Sequence, residues 1–271
     1  MKKLEEFTPQ LYLSDYGILH RGIDGYSIVH TEEEWKTPEK IERRIERIWE
    51  KEKRRAEREG RELWSEPGSM LRVRNMYSYD RRLVFVTQTT NYKQYAGTRG
   101  LKELYSPDDS HYAWNRANPL AANLLLSVDG YLLFGLRSNR LIFDGGKIGA
   151  VSGSVDPSKD IADGNISVEK TVRREFEEEI KMKPRFKELK PFVVQYNPVD
   201  SDSHLEFWFL GYTDLTKQEI ERDFKKNEFD SLVFLKMDQL KEEFNRLENM
   251  FTAQDGLIIR YLIDSGEIYH I

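Results

Sequence analysis

The chain has no cysteine among its 271 residues. Disulfides, thiolate chemistry and cysteine-based zinc sites are therefore excluded, and a cytoplasmic location is expected. It has no run of about 18 apolar residues, the length a membrane span needs. Its opening, MKKLEEFTPQ, lacks the apolar stretch of a signal peptide, so no membrane association is expected. Positive charge is not in excess. Lys and Arg number 42 against 47 Asp and Glu, and the net charge of −5 gives no general field for nucleic acid. Histidine is scarce too, and His20, His30, His111, His204 and His270 show no ligand spacing.

What is present is a charge-rich globular composition, with 39% hydrophobic residues, 33% charged residues, and 14 each of Tyr and Phe. Such a chain builds a packed core. Residues 8–30 read as extended and turn-rich. Thr37-Pro38 opens a helix whose Ile41, Ile45, Ile48 and Trp49 recur on one face, with Gly60 as its stop. Acidic residues interleave with the basic ones through residue 58, the pattern of a solvated face and not of a nucleic-acid groove. Strands are predicted over 70–77 and 82–87 around a turn at Asp80, and 91–100 reads as a loop leading into a short helix.

The pattern changes near Asn118-Pro119, which places a boundary between an α+β region, 1–117, and a second domain, 118–271. In the second domain, strands over 120–128 and 131–136 flank Asp129-Gly130, a strong hairpin signal. A strand over 147–151 leads into Gly153, then a polar loop over 156–165, then a helix from about 167 to 182 with Ser167 as its N-cap. Strands are predicted over 192–196, 205–212 and 232–235, and helices over 217–226, 239–249 and 254–264. Strands, helix, strands and helices in that order describe a mixed α/β domain with a helix packed on a sheet.

The chemistry concentrates in Arg174-Glu175-Phe176-Glu177-Glu178-Glu179-Ile180. Val168, Val172, Phe176 and Ile180 form an apolar stripe at every fourth position. Glu175, Glu178 and Glu179, at i, i+3 and i+4, share a face beside that stripe. Carboxylates brought together repel one another unless a positive charge sits among them. Hard oxygen ligands suit Mg²⁺, with Mn²⁺ as the second choice. Arg174 offers a planar fork that can hold one carboxylate in place. A solvated acidic face is the plain alternative. A strand and the Gly-bearing loop VSGSVD precede the helix, where backbone approaches a ligand closely.

These residues resemble the Nudix hydrolase pattern G-x5-E-x7-R-E-U-x-E-E-x-G-U, where U is bulky and apolar. Arg174, Glu175, Phe176, Glu178, Glu179 and Met182 match its second half, and Gly153 stands as the leading glycine. Three positions depart. Gly153 lies 21 positions before Arg174 where the pattern has 14, Ile166 replaces the early Glu, and Lys181 replaces the late Gly. The resemblance implies an α/β/α sandwich, a mixed sheet between helices, over 118–271. It implies Mg²⁺-dependent cleavage of a nucleoside diphosphate linked to another group, with Gly153, Glu175, Glu178 and Glu179 at the metal and Arg174 beside them. Glu206, a carboxylate between apolar residues in HLEFWFLG, is a further candidate ligand, with the solvent face of an alternating strand as the plain reading.

TNYKQYAGTRG, NPLAANLLLSVDGYLLFGLRS and VSGSVDP are similar to the branch that hydrolyses UDP-glucose and UDP-galactose to UMP and sugar 1-phosphate. On that likeness Asn91, Tyr92, Tyr95 and Thr98 are candidates for base or sugar binding, and Arg137 and Arg140 for the diphosphate. A structural Gly-Thr turn with core tyrosines is the competing reading of the first four. ADP-ribose, NADH or a dinucleoside polyphosphate are alternative substrates, and a non-catalytic nucleotide-binding regulator is the alternative outside the enzyme class. The N-terminal half is expected to shape the pocket or to make a homodimer contact.

Overall fold

The computed structural model describes residues 11–14, 17–21, 25–37, 39–59, 68–79, 82–99, 116–141, 143–196 and 205–266. The expected turn at Asp80, the stop at Gly60, and His111, His204 and His270 lie outside them.

The chain begins with β1 (Leu11–Ser14), β2 (Gly17–Arg21) and β3 (Gly25–Glu34), then helix α1 (Glu39–Arg58). Next come β4 (Ser69–Tyr79), β5 (Arg82–Asn91) and α2 (Tyr92–Thr98). The following stretch holds β6 (Leu120–Val128), β7 (Tyr131–Arg137), β8 (Ile148–Gly149), β9 (Val151–Ser154), β10 (Ile161–Ala162), β11 (Asn165–Ile166) and α3 (Val168–Ile180). The last is β12 (Phe186–Tyr196), β13 (Leu205–Thr213), α4 (Lys217–Asp223), β14 (Phe229–Lys236), α5 (Leu240–Leu247) and α6 (Ala253–Ser265). Hydrogen bonding orders the larger sheet β1-β2-β12-β13-β6-β7-β14, with β8 on β7 and β9 on β6. The architecture is mixed α/β with a sheet flanked by helices.

Two compact units divide the chain. The first comprises Met1–Ala122, Ser154–Thr171 and Pro191–Trp208. It contains a three-stranded sheet, β3-β5-β4, in which β3 runs parallel and β4 antiparallel to β5. Helix α1 buries Ile41, Ile45 and Trp49, one face of the predicted stripe. Its first turn carries Glu39 and Glu42 and its last Arg55 and Arg58, which complements the helix dipole. Helix α2 begins directly after β5, with Asn91 as its N-cap, so 91–100 is not a loop that leads into a helix. A capped turn competes with a loop over so short a span, and the Asn91 side chain, accepting from Gln94 N, decides it.

The stretch over 156–165, expected as a loop, runs through a turn at 157–159 into a second small hairpin, β10–β11. Ile161 pairs with Ile166 and Ala162 with Asn165, and Asp163 and Gly164 both take positive φ, 50° and 76°. Two-residue strands leave no alternation to read, although Asp-Gly is the same turn signal as at residue 129. Buried Asp160 anchors the hairpin by accepting from Asp156 N and from Thr171 Oγ1, each at 2.8 Å. The seven extra residues before the glutamate helix thus form ordered structure. In the same unit the Tyr26 hydroxyl accepts from Val168 N at 3.0 Å and from Glu169 N at 3.3 Å. These are unsatisfied amides of the first turn of α3, and Ser167 Oγ takes a third, Lys170 N.

The second unit comprises Asn123–Gly153, Val172–Lys190 and Phe209–Ile271. Its frame is the β6–β7 hairpin, whose Asp129 and Gly130 have φ of 47° and 81°, the geometry of a two-residue turn that matches strand twist. β14 pairs antiparallel with β7, and the Phe229 ring fills the space over Gly135. Phe134, Phe244 and Phe251 pack edge-on or tilted against one another and join β7 to the C-terminal helices. α3 contributes Val172, Phe176 and Ile180, all essentially inaccessible to solvent. Boundaries differ from expectation, and the strand expected over 147–151 divides into β8 and β9. β12 begins at Phe186, six positions before the expected start at 192; α4 stops at Asp223; and β14 extends to both sides of 232–235. Among the described residues no helix is long and apolar enough to cross a membrane.

Removing the Tyr26 hydroxyl leaves two amides of α3 without their acceptor. Tyr26→Phe is expected to lower stability by about 1 kcal/mol, the usual worth of a helix cap. Urea denaturation of the two proteins side by side measures it, and an unchanged midpoint contradicts the capping role.

Candidate functional site

The glutamates lie in the second unit, on the C-terminal two turns of α3. The apolar stripe holds that face against the core and carries two of the carboxylates inward with it. Glu175 and Glu179 are buried, 8% and 0% exposed, while the Glu178 side chain is 53% exposed. The solvated-face alternative therefore fails for Glu175 and Glu179. One nitrogen of Arg174, Nη1, donates to Glu175 Oε1 at 2.5 Å and to Glu178 Oε2 at 3.3 Å.

Gly153 explains why a glycine precedes this helix. A Cβ built there would fall on the Glu175 carboxylate, so any side chain at 153 and the observed Glu175 exclude one another. The neighbouring amide, Ser152 N, donates to Glu179 Oε2 at 3.2 Å. This strand is pinned from α6. Asp255 accepts from Ala150 N at 2.8 Å, and Thr252 N donates to Ile148 O at 3.0 Å.

Burial dominates the electrostatics. It pushes the Glu175 carboxyl up to about 8 against the pull of Arg174, with Glu178 and Glu228 raising it further. Burial, then Glu228 and Glu175, hold Glu179 well above the usual carboxylate range. Glu228 is raised as well, by burial and by Glu178, while Arg137 and Lys181 pull it back. Too many negative groups share too little water. Glu179 Oε1 is buried with no hydrogen-bond partner among the described residues. An orphan acceptor in an acidic buried site fits a hard cation, as does the all-oxygen donor set.

The three ligand candidates occupy one face, as predicted, but they do not meet at a point. Among the described residues no three His, Asp or Glu side chains stand together at metal-ligand spacing. Glu175 and Glu179 are turned into the core while the Glu178 side chain stays at the surface, where it pairs with Arg174.

Arg137 lies beside Glu179 and Glu228, lowering the pKa of each, and its buried Nε has no hydrogen-bond partner among the described residues. Arg140 instead bonds Ser138 Oγ and the Asn227 carbonyl. Glu206 is buried on β13, in the first unit, so a solvent-facing position is excluded. Asn91, Tyr92, Tyr95 and Thr98 also lie in the first unit, on or next to α2. Asn91 caps that helix, Thr98 donates to Gln94 O and accepts from Ala117 N, and Tyr92 and Tyr95 pack edge-on. His30 contacts the hydroxyls of Thr87 and Thr89 through its two ring nitrogens.

Glu228 and Asn227 were not legible in the sequence. They sit in a polar stretch, KKNEFD, with no motif around them. Asn227 Nδ2 donates to the Glu178 carbonyl at 3.1 Å, capping the end of α3, and Glu228 follows it in the chain. Lys181, the departure from the late glycine, has φ of 65°. The position calls for left-handed backbone at the helix end, which glycine takes without strain.

The family model described as NUDIX domain matches residues 119–254. Comparison with curated proteins finds no match. Among solved structures, DR0079 from Deinococcus radiodurans is 17% identical, with a TM-score of 0.38 over 52% of this chain and 81% of its own. A NUDIX hydrolase from Alicyclobacillus acidocaldarius is 14% identical, with a TM-score of 0.42 over 55% of this chain and 95% of its own. A MutT protein from Methanosarcina mazei is 16% identical, with a TM-score of 0.38 over 55% and 94%.

Two outcomes follow. Lys181→Gly is expected to stabilise the protein by about 0.5–1 kcal/mol by removing left-handed strain, read from the thermal midpoint; a lower midpoint contradicts the strain. In the metal-free protein, Glu175 and Glu179 keep protons that the unfolded chain gives up near 4.5. Their folded pKa values are raised, so stability falls as pH rises from about 4.5 through the Glu175 value of about 8. Melting scans in chelator across that window test this, and a midpoint that climbs steadily to pH 8 would reverse the sign.

Proposed function

The chain belongs to the NUDIX domain family, and we propose that it is a Mg²⁺-dependent hydrolase of nucleoside diphosphates linked to a second group. The proposed substrates are UDP-glucose and UDP-galactose, each cleaved with water to UMP and a sugar 1-phosphate. The observation that carries the reading is the buried pair Glu175 and Glu179, backed onto Gly153 and the Ser152 amide, with one Glu179 oxygen unsatisfied among the described residues. A structural acidic face would not be buried at such cost.

Glu175, Glu178 and Glu179 would hold the cation, with Mn²⁺ as the alternative and Gly153 and Glu206 as further candidates. When bound, the cation supplies charge to neutralise phosphate oxygens and orient water. Arg174 orders the outer carboxylate, and Asn227 holds the end of the helix that carries it. Arg137, whose Nε has no hydrogen-bond partner among the described residues, is suited to the diphosphate, and Arg140 is the second candidate. A carboxylate of the set takes the proton of the attacking water. Glu228 suits that role, because burial pushes it up from the ordinary value. Asn91, Tyr92, Tyr95 and Thr98 are assigned to base or sugar on the likeness to the UDP-sugar branch. The same reading assigns hydrolysis to 118–271, a homodimer contact to 1–117, and a cytoplasmic location.

Purified protein with Mg²⁺ is expected to release UMP from UDP-glucose, followed by chromatography. ADP-ribose, NADH and a dinucleoside polyphosphate run in parallel. Turnover of one of these in place of UDP-glucose removes the substrate assignment and keeps the hydrolase. Glu178→Gln and Glu179→Gln are each expected to lower turnover at least about a hundredfold, as loss of charge-stabilising groups does elsewhere. Wild-type rates in both variants would remove the site.

A further inference from the structure

We propose that Gln195 is a positioning residue for Glu206: its amide, fixed by Trp208, holds the Glu206 carboxylate in one orientation through a bridging water. The proposal rests on the reading of Glu206 as a ligand of the divalent ion.

One buried amide is the starting point. Gln195 on β12 is 0% exposed, and its Oε1 accepts from Trp208 Nε1 of the neighbouring strand β13 at 3.0 Å. An indole N–H only donates, so this bond settles which end of the amide is oxygen and which is nitrogen. Nε2 is the other end, buried with no hydrogen-bond partner among the described residues. A buried donor left unserved costs stability, so a glutamine used only as the acceptor for Trp208 is a poor solution at this position.

An acceptor lies on the same face. Side chains alternate along a strand, so Glu206, two residues before Trp208, shares its face of β13. Phe207 between them points to the opposite face, where it packs against Tyr26 and Phe85. Positions two apart on a strand are separated by about 6.5 Å, a gap that long side chains and one water span. Gln195, Glu206 and Trp208 all belong to the first unit. Glu206 is buried, and a carboxylate offers about four lone-pair sites, so it accepts from a water while keeping its other contacts. That water receives a proton bond from Nε2 and donates to the carboxylate, which gives it the polar partners a buried water needs. A glutamate side chain rotates about several bonds, and a ligand carboxylate is useful in one orientation; a donor locked by a third side chain selects it.

The test reads metal binding together with folding. Free Mn²⁺ is measured by electron paramagnetic resonance while wild type, Gln195→Met, Glu206→Gln and the double variant are titrated. Gln195→Met keeps the side-chain bulk, loses the donor, and is expected to weaken Mn²⁺ binding about tenfold. In the Glu206→Gln background the same change is expected to add nothing, since the carboxylate that Gln195 positions is gone. A merely structural glutamine predicts otherwise. Gln195→Met would then lower the thermal midpoint, by stranding the Trp208 N–H, and leave Mn²⁺ affinity at the wild-type value. That result overturns the proposal, and so does a weakening that is equal in both backgrounds. If Gln195→Met does not fold, as judged by circular dichroism, Trp208→Phe takes its place in the cycle. It frees the amide to rotate and is expected to weaken binding only where Glu206 is present; no weakening there overturns the proposal. Failure of the underlying reading looks different: Glu206→Gln itself would bind Mn²⁺ as tightly as wild type, which removes Glu206 from the ligands and the proposal with it.

Discussion

Two carboxylates sit in the interior of this protein with little water to solvate them, and the local structure around the site is arranged to tolerate that. Glu175 and Glu179 ride on the buried side of α3 because Val172, Phe176 and Ile180 take that side of the helix into the core. Burial raises both acids, so each needs hydrogen bonds or positive charge nearby. Arg174, the Ser152 amide and Arg137 supply part of it. The part left over is the physical case for a cation.

Holding acids at such positions requires a rigid surround. The strand bearing Ser152 and Gly153 cannot drift, because Asp255 and Thr252 tie the residues before it to the start of α6. Asn227 closes the far end of α3 by donating to the Glu178 carbonyl. In the first unit, Tyr26, Ser167 and Asp160 organise the other end of the helix through its first-turn amides and through Thr171. The N-terminal segment thus has a role at the start of the glutamate helix that its composition does not suggest.

The departures from the family pattern acquire physical meanings in the structure. The insertion before α3 is a closed hairpin with its own buried aspartate and not slack chain. The lysine in place of the late glycine still adopts the left-handed backbone the position requires, and its charge lies near Glu228. The tyrosine and threonine segment assigned to substrate by likeness is at the same time a capped helix, with Asn91 and Thr98 engaged in hydrogen bonds of their own.

Period and turn chemistry are local, so the sequence alone determined the hydrophobic stripe of α3, the shared face of Glu175, Glu178 and Glu179, the Asp129-Gly130 hairpin, the Ser167 cap and the buried face of α1. Each depends on residues within a few positions of one another, where backbone geometry leaves little choice. Only the tertiary structure decided that Glu178 turns outward to Arg174 while its neighbours stay buried, that Gly153 is glycine because Glu175 occupies its side-chain space, and that Glu228 joins the acidic group. Those facts depend on which distant segments share a desolvated volume, and no spacing along the chain encodes that.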